Sequence, residues 1–256
     1  MSTPQDFEGR TALVTGAASG IGAACAAALA KRGAARLVLV DTDRGRLDAL
    51  AHQLDCDVEA VAGSVADEDL WDGMEDRLTG LDHAIVNAGI GSGGLLSDLA
   101  LSEWQRVMAV NLDGAFLTLR SALRAMKPGE GDRSIVLTSS TTGLKPVAGI
   151  GPYGVSKAAV SHMARIAALE GAEHGIRVNA IAPGGVDTAI WESSEEFRGS
   201  VETHGREATL AAMAKTTPSG RFASPDEIAD TILFMLSATG SNLTGHVLVS
   251  DGGYTL

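Results

Sequence analysis

The sequence has few cysteines, no long apolar run and fewer basic than acidic residues, and each shortage excludes a class of protein. Its two cysteines, Cys25 and Cys56, lack the spacing of a metal site or a redox pair. The formal charge of −12 disfavours nucleic acid and anionic membranes as partners. No run of about 18 apolar residues could span a bilayer. The first ten residues are polar and unlike a signal peptide, so we expect a cytoplasmic protein.

Aromatic residues are also scarce, at 4% of the chain, so aliphatic side chains have to fill the core. The six histidines show no paired ligand spacing, and we expect no metal site. Of these histidines, only His204 falls in a segment that we expect near a substrate. A length of 256 residues is typical of one α/β domain, and residues 1–256 are predicted to form one.

Short apolar runs rich in β-branched residues alternate with longer helical patterns. Seven runs are predicted to be strands, at residues 11–15, 36–41, 58–63, 82–89, 133–139, 176–182 and 246–250. Most are continuously apolar, which is typical of a parallel sheet covered by helices on both faces. The alternation of strand and helix predicts right-handed crossovers and a doubly wound α/β fold.

Helix starts and loops follow from local signals. Capping boxes are predicted at Ser102 with Gln105 and at Ser224 with Glu227. One long stretch, residues 184–224, has no clear helical or strand pattern, and connections of that length are usually functional or disordered. We expect an irregular lid over a substrate site there.

A glycine-rich loop, TGAASGIG, separates the first predicted strand from the first predicted helix. Gly16, Gly20 and Gly22 would allow a tight turn and a close approach of the backbone to a phosphate. The free N–H groups at the start of the helix would then face a pyrophosphate. In this context the loop predicts a dinucleotide site, with a purely structural turn as the alternative.

An acidic residue, Asp41, ends the second predicted strand. A carboxylate at this position accepts hydrogen bonds from a ribose diol and repels a 2′-phosphate, which favours NAD over NADP. Arg44 and Arg46 follow closely enough to soften that repulsion. The alternative is that Asp41 is an exposed acid at a strand end.

Tyr153 and Lys157 are four residues apart on a predicted helix, which places them on one face. An ammonium about 4 Å from the phenol, at an effective dielectric constant of about 20, would favour the phenolate by about 4 kcal/mol. That would lower the tyrosine pKa from about 10 by about three, which suits general acid–base catalysis. Ser140 follows the fifth predicted strand at the sheet edge where α/β proteins bind ligands, and its hydroxyl could hold a substrate oxygen.

Several motifs together resemble the short-chain dehydrogenase/reductase family. In chain order they are TGAASGIG at 15–22, Asn87-Ala88-Gly89, Asn111, Ser140, Tyr153-x3-Lys157, Pro183-Gly184, GRFASPDEIA and the final DGGYTL. The resemblance runs from about residue 7 to the end of the chain. It implies a compact single-domain Rossmann fold with seven parallel strands in the order 3-2-1-4-5-6-7. It also implies an NAD-dependent oxidoreductase that interconverts a secondary alcohol and a ketone.

The resemblance implies a role for each matching residue. Tyr153 would be the general acid–base group, and Ser140 would orient the substrate oxygen. Lys157 would lower the tyrosine pKa and bind the nicotinamide ribose, while Asn111 would kink its helix and hold a water in a proton relay. The cofactor-binding residues that it implies are Gly16, Ser19, Gly20, Ile21, Gly22, Asp41, Ser64, Val65, Asn87, Ala88, Gly89, Tyr153, Lys157, Pro183, Gly184, Val186 and Thr188.

The substrate would be chosen by loops around this site. The predicted pocket residues are Leu95, Leu144, Val147, Ile190 and Trp191. Their apolar character favours a lipophilic alcohol or ketone, and the five acids in residues 192–207 disfavour an anionic one. The glycine-rich segment 88–94 is interpreted as a flexible wall. Gly185 lacks the bulky side chain often found after Pro-Gly in the family, which predicts a more open pocket.

Other functions remain as alternatives. They include an NADP-dependent carbonyl or 3-oxoacyl reductase of the same fold and a non-catalytic cofactor-binding regulator. Enoyl reductases place the tyrosine six residues before the lysine, where this chain has Gly151, and are disfavoured. The helix that follows Tyr153 is apolar on several faces, which indicates burial in the core or at a subunit contact. Because members of the family are commonly tetramers or dimers, we expect a homo-oligomer.

Overall fold

Seven parallel strands form one sheet in the computed structural model of the protein, which describes residues 5–256. The strands are β1 (Thr11–Thr15), β2 (Arg36–Asp41), β3 (Asp57–Ala62), β4 (His83–Val86), β5 (Arg133–Thr138), β6 (Ile176–Pro183) and β7 (Val247–Ser250). Their order across the sheet is β3-β2-β1-β4-β5-β6-β7, and each neighbouring pair is parallel. The predicted fold class and strand order are confirmed.

Nine α-helices connect and cover these strands within the described residues. They are α1 (Gly20–Lys31), α2 (Arg44–Ala51), α3 (Glu68–Asp72), α4 (Leu101–Met108), α5 (Gly114–Met126), α6 (Gly151–Ala172), α7 (Glu195–His204), α8 (Arg206–Met213) and α9 (Pro225–Leu236). None of the described helices is long and apolar enough to cross a membrane.

Neighbouring residues of each strand pack against opposite layers of helices. Leu13 of β1 lies in an apolar cluster with α5 and α6, whereas the next residue, Val14, lies in a second cluster with α1 and α9. Both side chains are fully buried. Because both faces of the sheet are covered, the strands are apolar at successive positions, which made them recognisable in the sequence.

One of the two predicted capping boxes is wrong. Helix α4 begins at Leu101 with Ala100 as its N-cap and no side-chain cap, so Ser102 and Gln105 lie inside the helix. The second box is confirmed at α9. The Ser224 hydroxyl accepts a hydrogen bond from the N–H of Glu227, whose carboxylate accepts one from the N–H of Ser224.

The stretch 184–224 was predicted to be irregular, and this prediction is wrong, because the stretch is largely helical. It contains a 3₁₀ turn (Ala189–Ser193) followed by α7 and α8. Ser194 caps α7 by accepting a hydrogen bond from the N–H of Phe197. Gly205, with φ of +79°, separates the two helices. Both helices are short, and neither has a broad apolar stripe, which hides them from a search for apolar periodicity.

Candidate active site

The predicted site residues lie at the carboxyl edge of the parallel sheet, where the loops after several strands meet. The glycine loop follows β1, Asp41 ends β2 and Ser64 follows β3. Strand β4 ends at Val86, so residues 87–89 leave the sheet instead of extending it as predicted. Ser140 follows β5, and Pro183 ends β6.

The glycine loop forms a cradle that larger residues would fill. Gly16 has φ of +66°, and a Cβ atom on it would lie 2.9 Å from the Cα of Ala88. A Cβ on Gly22 would clash with the carbonyl oxygen of Gly16. Ser19 is the N-cap of α1 but makes no side-chain cap bond, so that hydroxyl does not cover the first N–H groups of the helix. Ile21 lies in the first turn of α1. The cradle therefore fits a pyrophosphate.

Thr15, which precedes the loop, joins it to the end of β4. Its hydroxyl oxygen accepts hydrogen bonds from the N–H of Asn87 at 3.0 Å and of Ala88 at 3.2 Å. The side-chain amide of Asn87 donates to the carbonyl oxygen of Thr15 at 3.1 Å. These contacts fix one wall of the cleft.

The Asp41 carboxylate faces the glycine loop. One oxygen accepts a hydrogen bond from the N–H of Ala18 at 2.9 Å, and the other accepts one from the N–H of Asp43 at 3.0 Å. Arg44 and Arg46 were expected to soften the charge of Asp41, but each forms an ion pair with a different acid. Arg44 lies 2.7 Å from Asp48, and Arg46 lies 3.4 Å from Asp43.

Two of the predicted cofactor-binding residues, Ser64 and Val65, follow β3. The Ser64 hydroxyl accepts a hydrogen bond from the N–H of Ala66 at 3.2 Å. The Val65 side chain is buried in the core against Gly114, and its carbonyl accepts a hydrogen bond from the Trp71 indole at 2.9 Å. A contact from Val65 to a ligand would therefore use its N–H group.

Ser140, Tyr153 and Lys157 come together between the end of β5 and the start of α6. Lys157 is 3% exposed, its ammonium donates to the carbonyl oxygen of Thr138 at 2.7 Å, and it lies 5.7 Å from the centre of the Tyr153 ring. Lysine has three N–H donors, and one is used within the described residues. The Ser140 hydroxyl accepts a hydrogen bond from the Thr142 hydroxyl at 3.0 Å. The remaining donors of Lys157 fit ribose hydroxyls.

Burial changes the proton affinity of both groups. It lowers the pKa of Lys157 to about 8, because the ammonium loses its hydration. It raises the pKa of the Tyr153 phenol, and the neighbouring Ser140 hydroxyl only partly offsets this. The predicted lowering of the tyrosine pKa by Lys157 is therefore wrong for the protein alone. The sequence estimate counted the attraction between the charges and left out their desolvation.

Asn111 lies in a π-helical turn, Ala109–Asp113, between α4 and α5, which agrees with the predicted kink. Its side-chain oxygen accepts a hydrogen bond from the N–H of Ile90 at 2.8 Å, and its amide donates to the carbonyl of Ile90 at 3.0 Å. The amide also donates to the Ser156 hydroxyl at 3.2 Å, which in turn donates to the Tyr153 carbonyl at 2.8 Å. A Cβ on Gly89 would lie 3.3 Å from the Lys157 ammonium.

Sequence reasoning missed Ser156, because its partner Asn111 is 45 residues away. A hydroxyl between the tyrosine and the lysine was the only signal. Through Asn111, Ser156 joins the segment 88–94 to α6. At the other end of the segment 88–94, the N–H of Gly94 donates to the carbonyl of Gly149 at 2.7 Å.

The segment after β6 forms the opposite wall. Gly184 packs closely on Asp251, and Val186 is buried and bridges to Ala223. A Cβ on Gly20 would lie 3.1 Å from the methyl group of Thr188, so this segment reaches the glycine loop.

Gly185 does not open the pocket as predicted. A Cβ on Gly185 would clash with the ring of Phe222, which occupies the space that the glycine leaves. The Phe222 ring stacks on Trp191, with 5.4 Å between centroids. The Trp191 indole donates to the carbonyl of Val186 at 2.8 Å. Phe222 was missed as a site residue because it lies 37 positions along the chain from Gly185.

The remaining predicted pocket residues lie on two connected loops. Leu95, Leu144 and Val147 are 57%, 44% and 38% exposed. Their loops are joined by the bridge from Gly94 to Ile150. His204 is exposed at the end of α7, and its ring contacts the carbonyl of Ser200 in the same helix, 3.3 Å away. Among residues 5–256, no three His, Cys, Asp or Glu side chains cluster as a metal site requires.

Similarity to known proteins covers nearly the whole chain. A family model described as enoyl-(acyl carrier protein) reductase matches residues 16–255. Cis-4-hydroxycyclohexanecarboxylate dehydrogenase of Sinomonas cyclohexanicum is 39% identical, over 97% of this chain and 98% of its own length. Galactitol 2-dehydrogenase of Rhizobium johnstonii is 36% identical, over 100% of this chain and 99% of its own length.

Solved structures agree with these relatives. A short-chain type dehydrogenase/reductase from Mycobacterium marinum is 33% identical, with a TM-score of 0.87, over 98% of this chain and 97% of that one. Levodione reductase is 30% identical, with a TM-score of 0.87, over 96% of this chain and 98% of that one. The chain belongs to the short-chain dehydrogenase/reductase family, whose members are oxidoreductases with a nicotinamide cofactor.

Proposed function

We propose that this protein is an NAD(H)-dependent oxidoreductase that interconverts a secondary alcohol and a ketone. The observation that carries the proposal is the convergence of Ser140, Tyr153 and Lys157 at the edge of the sheet that also holds the glycine cradle. The names of its relatives, several of them alcohol or polyol dehydrogenases, support the same reaction.

Each group in the cleft has a task in this reaction. When bound, the oxidised nicotinamide would supply the hydride acceptor and a positive charge near the phenol. During oxidation the Tyr153 phenolate, favoured by that positive charge, takes the hydroxyl proton of the substrate, and during reduction the phenol returns it. Ser140 orients the substrate oxygen, and Lys157 holds the ribose through its remaining N–H donors. Asn111 keeps the loop at Ile90 in place and, as a proposal from the family resemblance, holds a relay water.

Preference for NAD over NADP rests on Asp41. Its carboxylate accepts a hydrogen bond from the N–H of Ala18 in the cradle, where the hydroxyls of an adenosine ribose diol would donate hydrogen bonds to it. Arg44 and Arg46 are paired with acids of their own and would not neutralise it. A 2′-phosphate placed there would meet an uncompensated negative charge.

Two other functions are less well supported. The family model is described by enoyl reduction, but Tyr153 precedes Lys157 by four residues, not the six that enoyl reductases use. A regulator without catalysis would not need a buried Lys157 beside a phenol. An NADP-dependent reductase of the same fold remains the second candidate, and Asp41 argues against it.

For the substrate we propose a lipophilic secondary alcohol or ketone. The exposed apolar residues Leu95, Leu144 and Val147 support this, as does the Trp191–Phe222 stack beside the segment after β6. One relative is named for a hydroxylated cyclohexane that carries a carboxylate, and others for polyols. A panel of cyclohexanol, 4-hydroxycyclohexanecarboxylate and galactitol separates the three classes.

We also propose that the protein is a homo-oligomer in the cytoplasm. Helix α6, which carries Tyr153, exposes Val155, Ile166 and Leu169 at 45%, 46% and 82%. Phe116 of α5 adds a further large apolar side chain, 48% exposed. Surfaces of this kind are typical of contacts between subunits.

Tyr153→Phe tests the catalytic proposal. The variant keeps the ring and removes the proton-transferring hydroxyl, so kcat should fall by about 10²–10⁴-fold. NADH binding, followed by its fluorescence, should change little. Retention of more than a few per cent of kcat with NADH still bound would contradict the role of Tyr153.

A further inference from the structure

The segment 187–193 lies across the cofactor cleft from one glycine-rich loop to the other. At one end the methyl group of Thr188 lies 3.1 Å from where a Cβ on Gly20 would be. At the other end the carbonyl oxygen of Ile190 lies 3.4 Å from a Cβ placed on Gly91, which would also meet the Ser193 hydroxyl. The segment therefore touches both walls between which a dinucleotide would lie.

One side chain from outside the segment holds it at three points. Arg206, the first residue of α8, donates to the Asp187 carboxylate at 2.5 Å and to the Thr188 carbonyl at 3.2 Å. Its other terminal nitrogen donates to the Glu192 carboxylate at 2.6 Å. The guanidinium also lies over the ring of Phe197, 5.5 Å from its centroid.

Arg206 compensates the negative charges of the two carboxylates that it bonds. Asp187 and Glu192 both lie next to the same guanidinium and would repel each other without it. The planar fork of arginine serves two carboxylates at once, which the single ammonium of lysine does less well. The two remaining arginines of the lid stretch do not reach either carboxylate. Arg198 bonds the Glu192 carbonyl and lies 4.0 Å from Glu195, and Arg221 pairs with Glu227.

We propose that Arg206 is a positioning residue that clamps the segment 187–193 over the cofactor and slows cofactor release. This inference rests on the proposed function for the identity of the ligand, but the clamp itself is a property of the free protein. Arg206 acts through Thr188 and Ile190 and takes no part in proton or hydride transfer.

Arg206→Ala and Arg206→Lys test the clamp, with Arg221→Ala as the matched control. Like Arg206, Arg221 is paired with a carboxylate, that of Glu227 at 2.6 Å, so the control removes the same charge. The Arg221 side chain does not contact residues 187–193. All four proteins are first compared by thermal unfolding, so that loss of the fold is recognised.

The first measurement is amide hydrogen exchange of the free proteins. In Arg206→Ala, peptides covering 187–193 should exchange faster than in wild type and in Arg221→Ala, while peptides around Tyr153 stay unchanged. Equal exchange at 187–193 in wild type and Arg206→Ala overturns the clamp, whatever the cofactor proves to be.

The second measurement is NADH release by stopped-flow fluorescence. Arg206→Ala should raise the NADH Kd about ten-fold, mainly through faster release, as expected for an exposed network of charge-assisted hydrogen bonds. Arg206→Lys should lie between it and wild type, and kcat at saturating cofactor should fall by less than about three-fold. Asp187→Asn in the Arg206→Ala background should not weaken NADH binding further and should restore part of it, because it removes the repulsion between Asp187 and Glu192.

The outcomes separate the two proposals. If wild type binds neither NADH nor NADPH, the proposed function fails, and hydrogen exchange alone decides the clamp. If wild type binds NADH and Arg206→Ala releases it at the same rate as Arg221→Ala does, the clamp is refuted and the proposed function stands.

Discussion

Replacing Lys157 by methionine should abolish turnover and at the same time stabilise the fold. Lys157 is 3% exposed, and burial lowers the pKa of its ammonium from 10.5 to about 8. Its hydrogen-bond partner within the described residues is the Thr138 carbonyl, and no carboxylate there pairs with it. A buried ammonium without a counter-ion costs free energy, whereas methionine fills similar space without charge.

The pKa of Lys157 gives the size of this cost. At pH 7 an ammonium with a pKa of 10.5 in the unfolded chain and about 8 in the folded one destabilises the fold by about 3 kcal/mol. The variant also loses the hydrogen bond to the Thr138 carbonyl, which destabilises it by about 1 kcal/mol. The variant should therefore be more stable by about 2 kcal/mol, which raises Tm by about 4–8 °C for a chain of this length.

The effect also has a defined dependence on pH. Between the folded pKa of about 8 and the unfolded pKa of 10.5, the unfolded chain binds more protons than the folded one. Wild type therefore gains stability as pH rises through this window, and the methionine variant does not. Its advantage should shrink by about 2 kcal/mol between pH 7 and pH 9.5.

Urea unfolding at pH 7, 8.5 and 9.5, with turnover measured on the same samples, tests both statements. Lys127→Met is the control, because Lys127 is exposed and its replacement should change stability by less than about 0.5 kcal/mol. If Lys157→Met is less stable than wild type at pH 7, or if its difference from wild type is the same at all three pH values, the reasoning about the buried ammonium is wrong.

Two further predictions concern the cofactor and the assembly. Asp41→Ala should raise kcat/KM with NADP relative to NAD by about ten-fold or more, because one uncompensated charge is removed. The NAD preference is refuted if wild type uses NADP as well as NAD, or if the ratio does not change in the variant. In gel filtration the protein should elute well above 26.2 kDa, and Leu169→Glu should shift it towards that mass, because it places a charge on the apolar face of α6. Elution of wild type as a monomer would contradict the homo-oligomer.

Much of the fold could be predicted because its signals are local. Strands β1, β2, β4, β5 and β6 are largely buried and apolar at successive positions, and all seven strands were found within a few residues of their ends. The capping box at Ser224 and Glu227 needs only residues three positions apart. The glycine loop shows its need for glycine in the sequence, and Gly16 indeed has a positive φ.

The parts that could not be predicted depend on contacts between distant residues or on burial. Ser156 acquires its role from Asn111, and Arg206 from Asp187 and Glu192. The pKa of Tyr153 was predicted in the wrong direction, because the spacing to Lys157 reports proximity but not desolvation. The spacing of two residues in the sequence gives neither their distant partners nor the dielectric constant around them.

The space shared by Gly185 and Phe222 has a consequence for how this pocket can change. Since a Cβ on Gly185 would meet the Phe222 ring, a larger residue at 185 is tolerated only after 222 has become smaller. That first step leaves a cavity beneath Trp191, which loses its stacking partner. The two positions therefore form an epistatic pair, and both evolution and directed redesign of the substrate pocket have to pass through a small residue at 222 first.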